Sequence, residues 1–177
     1  MKKLIGIYSL ALTIFIFLAS VTKAEDKKYS FGDHELNFFS GMFDFSDKGK
    51  RSAVFGIQHQ NENLFRDSYL GTLSPVTGVM ITADNSSYFY TGVQAQYKVG
   101  KLNIVPSFTP GIYSEGDGKD LGHPVEFKSE LQMSIDIFSD TELGFSYNHM
   151  SNASLGDKNP GANSYMVNFL KNFYFSK

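Results

Sequence analysis

The sequence predicts an all-β chain, an eight-stranded antiparallel transmembrane β-barrel, and three observations carry that prediction. First, the chain opens as an exported protein does. Lys2 and Lys3 precede an apolar run over residues 4–19, and Thr22-Lys23-Ala24 forms a small-residue cleavage site before Glu25. Second, no later run reaches the roughly 18 apolar residues of a spanning helix, whereas several stretches alternate with period two over about 9–11 residues, the length a tilted strand needs to cross a bilayer. Third, long connections alternate with tight turns, and aromatic residues cluster at strand ends, as in barrels of the outer membrane.

Residues 1–24 are thus expected to be a cleaved signal peptide rather than an anchor helix, and residues 25–177 the barrel domain. Residues 25–30 form a polar lead-in. Strand 1 is expected over 34–45, with imperfect alternation, and a short loop over 46–51. Strand 2 follows over 52–61, with Ala53, Phe55 and Ile57 on one face. Residues 62–75 lack a pattern and read as a long turn, with room for one helical turn. Strand 3 is expected over 76–83, a turn at 84–86, and strand 4 over 88–99. Gly100-Lys101 is a tight turn. Strand 5, over 102–113, contains Pro106 and Pro110, each of which removes a ladder hydrogen bond. A Gly/Asp loop over 114–123 leads to strand 6, over 125–138, which has the clearest alternation: Val125, Phe127, Leu131, Met133, Ile135 and Ile137 on one face, Glu126, Lys128, Glu130 and Asp136 on the other. Ser139-Asp140 turns the chain into strand 7 (142–151), and a loop over 152–162 into strand 8 (163–175). The strand 6 pattern fits a soluble barrel with an apolar interior or a membrane barrel with a polar one. Export and strand length favour the membrane barrel. With both termini inside, the long loops lie outside and the tight turns inside, the stretch 62–75 excepted.

Composition narrows the function. Cleavage after Ala24 removes three lysines and no acid, taking the formal charge from −2 to −5. That leaves no basic excess for nucleic acid. The chain has no cysteine, so an exported fold must hold without disulfides. Glu115, Asp117 and Asp120 read as a solvated loop rather than a cation site, and His34, His59 and His123 have no ligand spacing. No metal and no cofactor is expected.

The chemistry concentrates in residues 147–165. On a strand, residues i and i+2 share a face about 7 Å apart. His149 and Ser151 therefore sit side by side, on the face of Leu143, Phe145 and Tyr147. A histidine beside a serine is the minimum for a base-activated nucleophile, and its position on an apolar face suits a lipid substrate. By the same parity Asn163 lies on the outward row of strand 8 with Tyr165, Val167 and Phe169. The three side chains converge near the outer rim.

His149-Met150-Ser151-Asn152-Ala153, followed by Asn159-Pro160-Gly161 and Asn163-Ser164-Tyr165, resembles the outer-membrane lipid A 3-O-deacylases, also called acyloxyacyl hydrolases (PagL-like). Gly111-Ile112-Tyr113, residues 116–122 and Glu126-Phe127 add to the resemblance, which covers most of the chain after Gly71. It implies an eight-stranded barrel with its active site on the outer wall, a serine esterase that cleaves the ester-linked 3-position acyl chain of lipid A. Ser151 would be the nucleophile, and His149 the general base and then the acid for the leaving sugar oxygen. Asn152 and the backbone N–H groups after it, starting at Ala153, would be oxyanion-hole candidates. The third triad member in the family is a glutamate; Asn163 occupies that position here. An amide can orient an imidazole but cannot offset its charge. Glu142 has the wrong parity and lies about 23 Å along the strand, which leaves Asp157, in the outer loop, as the alternative acid. The implied partners are lipopolysaccharide and the surrounding outer-membrane lipids in a Gram-negative cell, with monomer or homodimer left open. Two other classes compete: a catalytically silent small barrel with a structural or adhesive role, and a soluble lipid-binding barrel.

Overall fold

A computed structural model describes residues 33–61, 66–68 and 71–174; the signal peptide expected over 1–24 lies outside the described residues. Nine hydrogen-bonded strands follow in order: β1 (Asp33–Phe43), β2 (Ser52–Asn61), β3 (Arg66–Ser68), β4 (Gly71–Thr82), β5 (Ser87–Val99), β6 (Leu102–Ser114), β7 (Val125–Phe138), β8 (Thr141–Ser151) and β9 (Ala162–Tyr174). Consecutive strands pair antiparallel, β2 and β3 excepted. β1 also pairs with β9, and β2 with β4, so the sheet closes. β3 lies against the start of β4 (Arg66 opposite Leu73), just beyond the point where β2 stops (Gln60 opposite Val76). β2 and β3 thus form one interrupted stave, and the barrel has eight.

Two expectations need correction. Residues 62–75 are not one long turn: they contain β3 and the first five residues of β4. Gly71, Ser74 and Pro75 carry turn chemistry locally, but pairing with β5 (Leu73 opposite Ala95, Pro75 opposite Val93) overrides it. Strand 1 ends at Phe43 rather than at 45, because Asp44 has φ +47° and leaves the extended region. The two prolines of β6 do not break it. Its ladder with β5 lapses beside them, between the pairs Tyr90–Gly111, Val93–Phe108 and Tyr97–Ile104, and resumes in the same register each time.

β7 decides which face is which. Glu126 and Lys128 are 0% and 1% exposed, whereas Met133 and Ile135 are 41% and 48% exposed. The charged row fills the lumen and the apolar row is the outer wall, as a transmembrane barrel requires. An eight-stranded lumen is just wide enough for side chains to fill it, and here they form a polar lattice. Asn37 Nδ2 donates to Gln132 Oε1 and Asn168 Oδ1, both at 3.0 Å. Asn168 Nδ2 donates to Ser146 Oγ at 3.0 Å, and Ser134 Oγ to Glu142 Oε2 at 2.7 Å. Towards the end with the long loops the lumen turns apolar: Phe43, Tyr113, Met150, Ala162 and Met166 pack with Leu121, which the 115–124 loop inserts as a plug. That plug holds the loops against the strand ends that carry the candidate site.

Candidate functional site

The β8–β9 register sets His149 directly opposite Asn163, and Tyr147 opposite Tyr165. β7–β8 pairing sets Ser151 opposite Phe127. Alternation turns His149, Ser151 and Asn163 outward with Phe145 and Tyr147, which are each 46% exposed. The structure thus gathers all three on the outer wall at the loop end. His149 is exposed, while Ser151 and Asn163 are half-buried.

His149 Nδ1 lies 2.9 Å from Asn163 Oδ1. That oxygen also accepts a hydrogen bond from the Tyr147 hydroxyl at 2.8 Å. Amide oxygens only accept, so Nδ1 carries the proton and Nε2 is left with its lone pair. No hydrogen bond joins Ser151 to His149 among the described residues; catalytic contacts of this kind commonly tighten only in a substrate complex. Asp157 is exposed, and the partner of the imidazole is Asn163. Gly161 backs the ring: a Cβ there would lie 3.0 Å from His149 Cε1, and its φ is +64°. Gly161→Ala is therefore expected to displace the imidazole and to strain the backbone by about 1–2 kcal/mol, read as lower activity together with a lower melting temperature.

The turn after Ser151 is built by Asn152. Its side chain is fully buried, and Nδ2 donates to the carbonyls of Leu121 (2.9 Å) and Lys158 (2.8 Å). Its Oδ1 accepts the Ser154 N–H at 2.9 Å, and its own N–H donates to Asn159 Oδ1 at 3.1 Å. Ala153 and Ser154 have φ of +52° and +67°, and Leu155 N–H closes onto the Asn152 carbonyl at 3.0 Å. Two positive φ values inside such a closure mark a type I′ turn. Alanine is strained there. Asn152's side chain is thus spent on holding the turn, and the Ala153 N–H has no hydrogen-bond partner among the described residues.

Salt links tie this turn to its neighbour. Lys158 Nζ pairs with Asp120, whose carboxylate also accepts the Gly122 N–H. The Lys158 hydrogen bond, then that of Gly122, lowers the Asp120 pKa below its ordinary 3.8. A depressed carboxylate stabilises its tether above the ordinary value and loses it as pH falls through the depressed one. Proteolytic nicking of residues 153–160 is therefore expected to be constant near neutrality and to rise only below about pH 4. A shallow cleft of about 400 Å³ opens among these loops, lined by residues such as Lys50, Glu115, Asp117 and Lys158, but neither His149 nor Ser151 borders it.

Residues 39–172 match the family model described as Lipid A 3-O-deacylase (PagL). The chain belongs to the lipid A 3-O-deacylase family. The matched span runs from β1 to β9 and includes His149, Ser151 and Asn163. In structure, this deacylase-family chain is similar to the outer membrane enzyme PagL, with a TM-score of 0.58 and 15% identity over 77% of this chain and 98% of that one. It is also similar to a de novo designed transmembrane β-barrel (TM-score 0.55, 10% identity, 82% and 98% covered). Both likenesses speak to the fold. No curated protein matches the chain in sequence. Membership and barrel together assign it to the Gram-negative outer membrane, in a family of hydrolases acting on lipid A.

Three polar neighbours of the site escaped the sequence reading of this deacylase-family member. Tyr147 reads as one of the apolar row, yet its hydroxyl is turned to Asn163. Asp44 and Ser46 lie more than 100 residues from Asn163 in the chain, and only the β1–β9 pairing brings them near. At the opposite end, β1–β2 pairing stacks His34 on His59, with Nδ1 and Nε2 2.8 Å apart. No group of three metal-binding side chains forms among the described residues.

Proposed function

We propose that this chain hydrolyses the 3-O-linked acyl ester of lipid A at the His149–Ser151 pair. The observation that carries the reading is the His149–Asn163 hydrogen bond on the outer wall, which engages Nδ1 and leaves Nε2 available as a base two residues from Ser151. Ser151 Oγ attacks the ester carbonyl while His149 Nε2 takes its proton. The oxyanion meets the Ala153 N–H. Collapse expels the sugar 3-oxygen, which receives the proton from His149, and leaves Ser151 acylated. Water, deprotonated by the same imidazole, then releases the fatty acid and restores the serine. The surroundings suit a lipid. Phe45 packs on Tyr147 and Tyr165 with centroids 6.2 and 5.5 Å apart, and Phe145 stacks on Tyr165 at 6.1 Å. An aromatic wall therefore lies directly below the polar pair, where an acyl chain in the outer leaflet would run.

A second reading, a silent structural barrel, is favoured by one feature: an amide stands where the resemblance implies a glutamate. Mass spectrometry of lipid A separates the two. Expressed in a bacterial outer membrane, the parent is expected to remove one hydroxyacyl chain, and Ser151→Ala to remove none. Intact lipid A from a correctly inserted parent would favour the silent barrel.

A further inference from the structure

We propose that Asp44 is the acid of this site, acting as a positioning residue on His149 through Ser46 and the Asn163 amide. The inference rests on the deacylase reading for its kinetic consequence, and on geometry alone for its structural one. Asp44 is fully buried at the loop end, where its carboxylate pairs with Lys119, itself only 11% exposed. Its Oδ1 accepts the Ser46 hydroxyl at 3.1 Å and the Asn163 backbone N–H at 3.3 Å. Ser46 Oγ in turn accepts Asn163 Nδ2 at 3.1 Å. The Phe45 N–H donates to the Asn163 carbonyl at 2.9 Å, and the Asp44 N–H to Ser164 Oγ at 3.3 Å. Residues 44–46 are thus clamped along the start of β9. The φ of +47° at Asp44 folds the chain so that carboxylate and hydroxyl both reach Asn163.

The direction of each bond follows from the one before. A carboxylate only accepts, so the single Ser46 hydroxyl proton goes to Asp44 and Ser46 offers Asn163 its lone pairs. The amide must then turn NH₂ to Ser46 and oxygen to His149. The oxygen only accepts, so Nδ1 holds the proton and Nε2 is the base. An amide on its own has no such preference: turned over, it would present NH₂ to Nδ1, favour the Nε2–H tautomer and leave Ser151 without a base. A glutamate would need no such device, because both its oxygens accept. Donors aligned in one direction also polarise one another towards the buried charge.

The test uses the full chain folded in outer-membrane-like vesicles. The His149 tautomer is read by ¹⁵N NMR, with assignment by His149→Gln, and kcat and KM are measured beside it. Ser46 is exposed, and Ser46→Ala leaves the Asp44–Lys119 pair intact. The parent is expected to show the Nδ1–H tautomer alone, and Ser46→Ala a mixture, with KM unchanged and kcat lower by at least about tenfold (complete loss of the tautomer costs a serine protease about 10⁴-fold). In an Asn163→Glu background, Ser46→Ala is expected to change neither tautomer nor kcat. A parent-like tautomer in Ser46→Ala would overturn the proposal. So would a kcat loss that persists in the Asn163→Glu background, which would make Ser46 a mere prop for the loop. Asp44→Asn, whose amide can donate to Ser46 and reverse the chain, is expected to match Ser46→Ala; a parent-like spectrum from folded Asp44→Asn would equally overturn it. Should the parent prove no more active than Ser151→Ala, the deacylase reading fails, while the tautomer spectra still decide on Asp44.

Discussion

Replacing His149 by alanine is expected to lower ester turnover by about 10⁶-fold, and adding Ser151→Ala to lower it no further. The reason lies in the chemistry rather than in affinity. A serine hydroxyl is a poor nucleophile until a base takes its proton, and the sugar oxygen is a poor leaving group until an acid returns it. In the proposed mechanism one imidazole does both, so either deletion would stop the same steps. Independent contributions would multiply; members of one unit do not. Residual hydrolysis in the double variant would measure what the Ala153 N–H and substrate positioning supply alone. Neither substitution touches the lumen lattice or the Leu121 plug, so both variants should insert and melt like the parent. The check is release of hydroxy fatty acid from purified lipopolysaccharide at saturating substrate. Full additivity of the two losses would mean that Ser151 and His149 do not act together.

Removing Lys128 is expected to have the largest effect on stability. The ammonium is buried in the lumen, 3.5 Å from Glu130 Oε2 and 4.0 Å from the Tyr90 ring centroid. Glu130 is only 7% exposed and also accepts weaker bonds from Ser146 (3.4 Å) and Asn148 (3.2 Å). Lys128→Ala strands that carboxylate, which costs about 3–5 kcal/mol when a buried pair loses one partner. Lys128→Met with Glu130→Gln removes both charges while keeping volume, and should recover most of the loss, since an apolar replacement of a buried pair is often neutral. Urea unfolding from lipid vesicles reads both. Equal loss in the single and double variants would show that the ammonium matters through its ring contact, not through its ion pair.

The barrel was legible because alternation is a local signal. β7 to β9 lie within a residue of their expected bounds, and the parity that sets His149, Ser151 and Asn163 outward needs only a count by twos. What the sequence concealed depends on contacts distant in the chain. The first half of β4 has turn residues and becomes strand only because β5 lies beside it. Asp44 reads as one more member of an imperfectly alternating strand; its positive φ, and hence its reach to Asn163, exists only once β1 meets β9. The FDFS run at 43–46 alternates aromatic and polar residues without a break, so it carried no trace of that bend. Asn152 is the opposite case. Its place beside Ser151 suggested an oxyanion donor, but strand parity turns its side chain to the interior, where three loop atoms use it.

The site's place on the outer wall changes what concentration means for this protein. On the proposed deacylase reading, a substrate held in the leaflet would reach His149 and Ser151 by lateral diffusion, without crossing water and without entering a cavity. Its rate then depends on mole fraction in the surrounding lipid rather than on molarity. Diluting whole vesicles with buffer should leave the initial rate per barrel unchanged, whereas diluting lipopolysaccharide with an inert phospholipid in the same vesicles should slow it. The composition of the leaflet would thereby become a control on the proposed turnover, exerted with no ligand and no change in the protein.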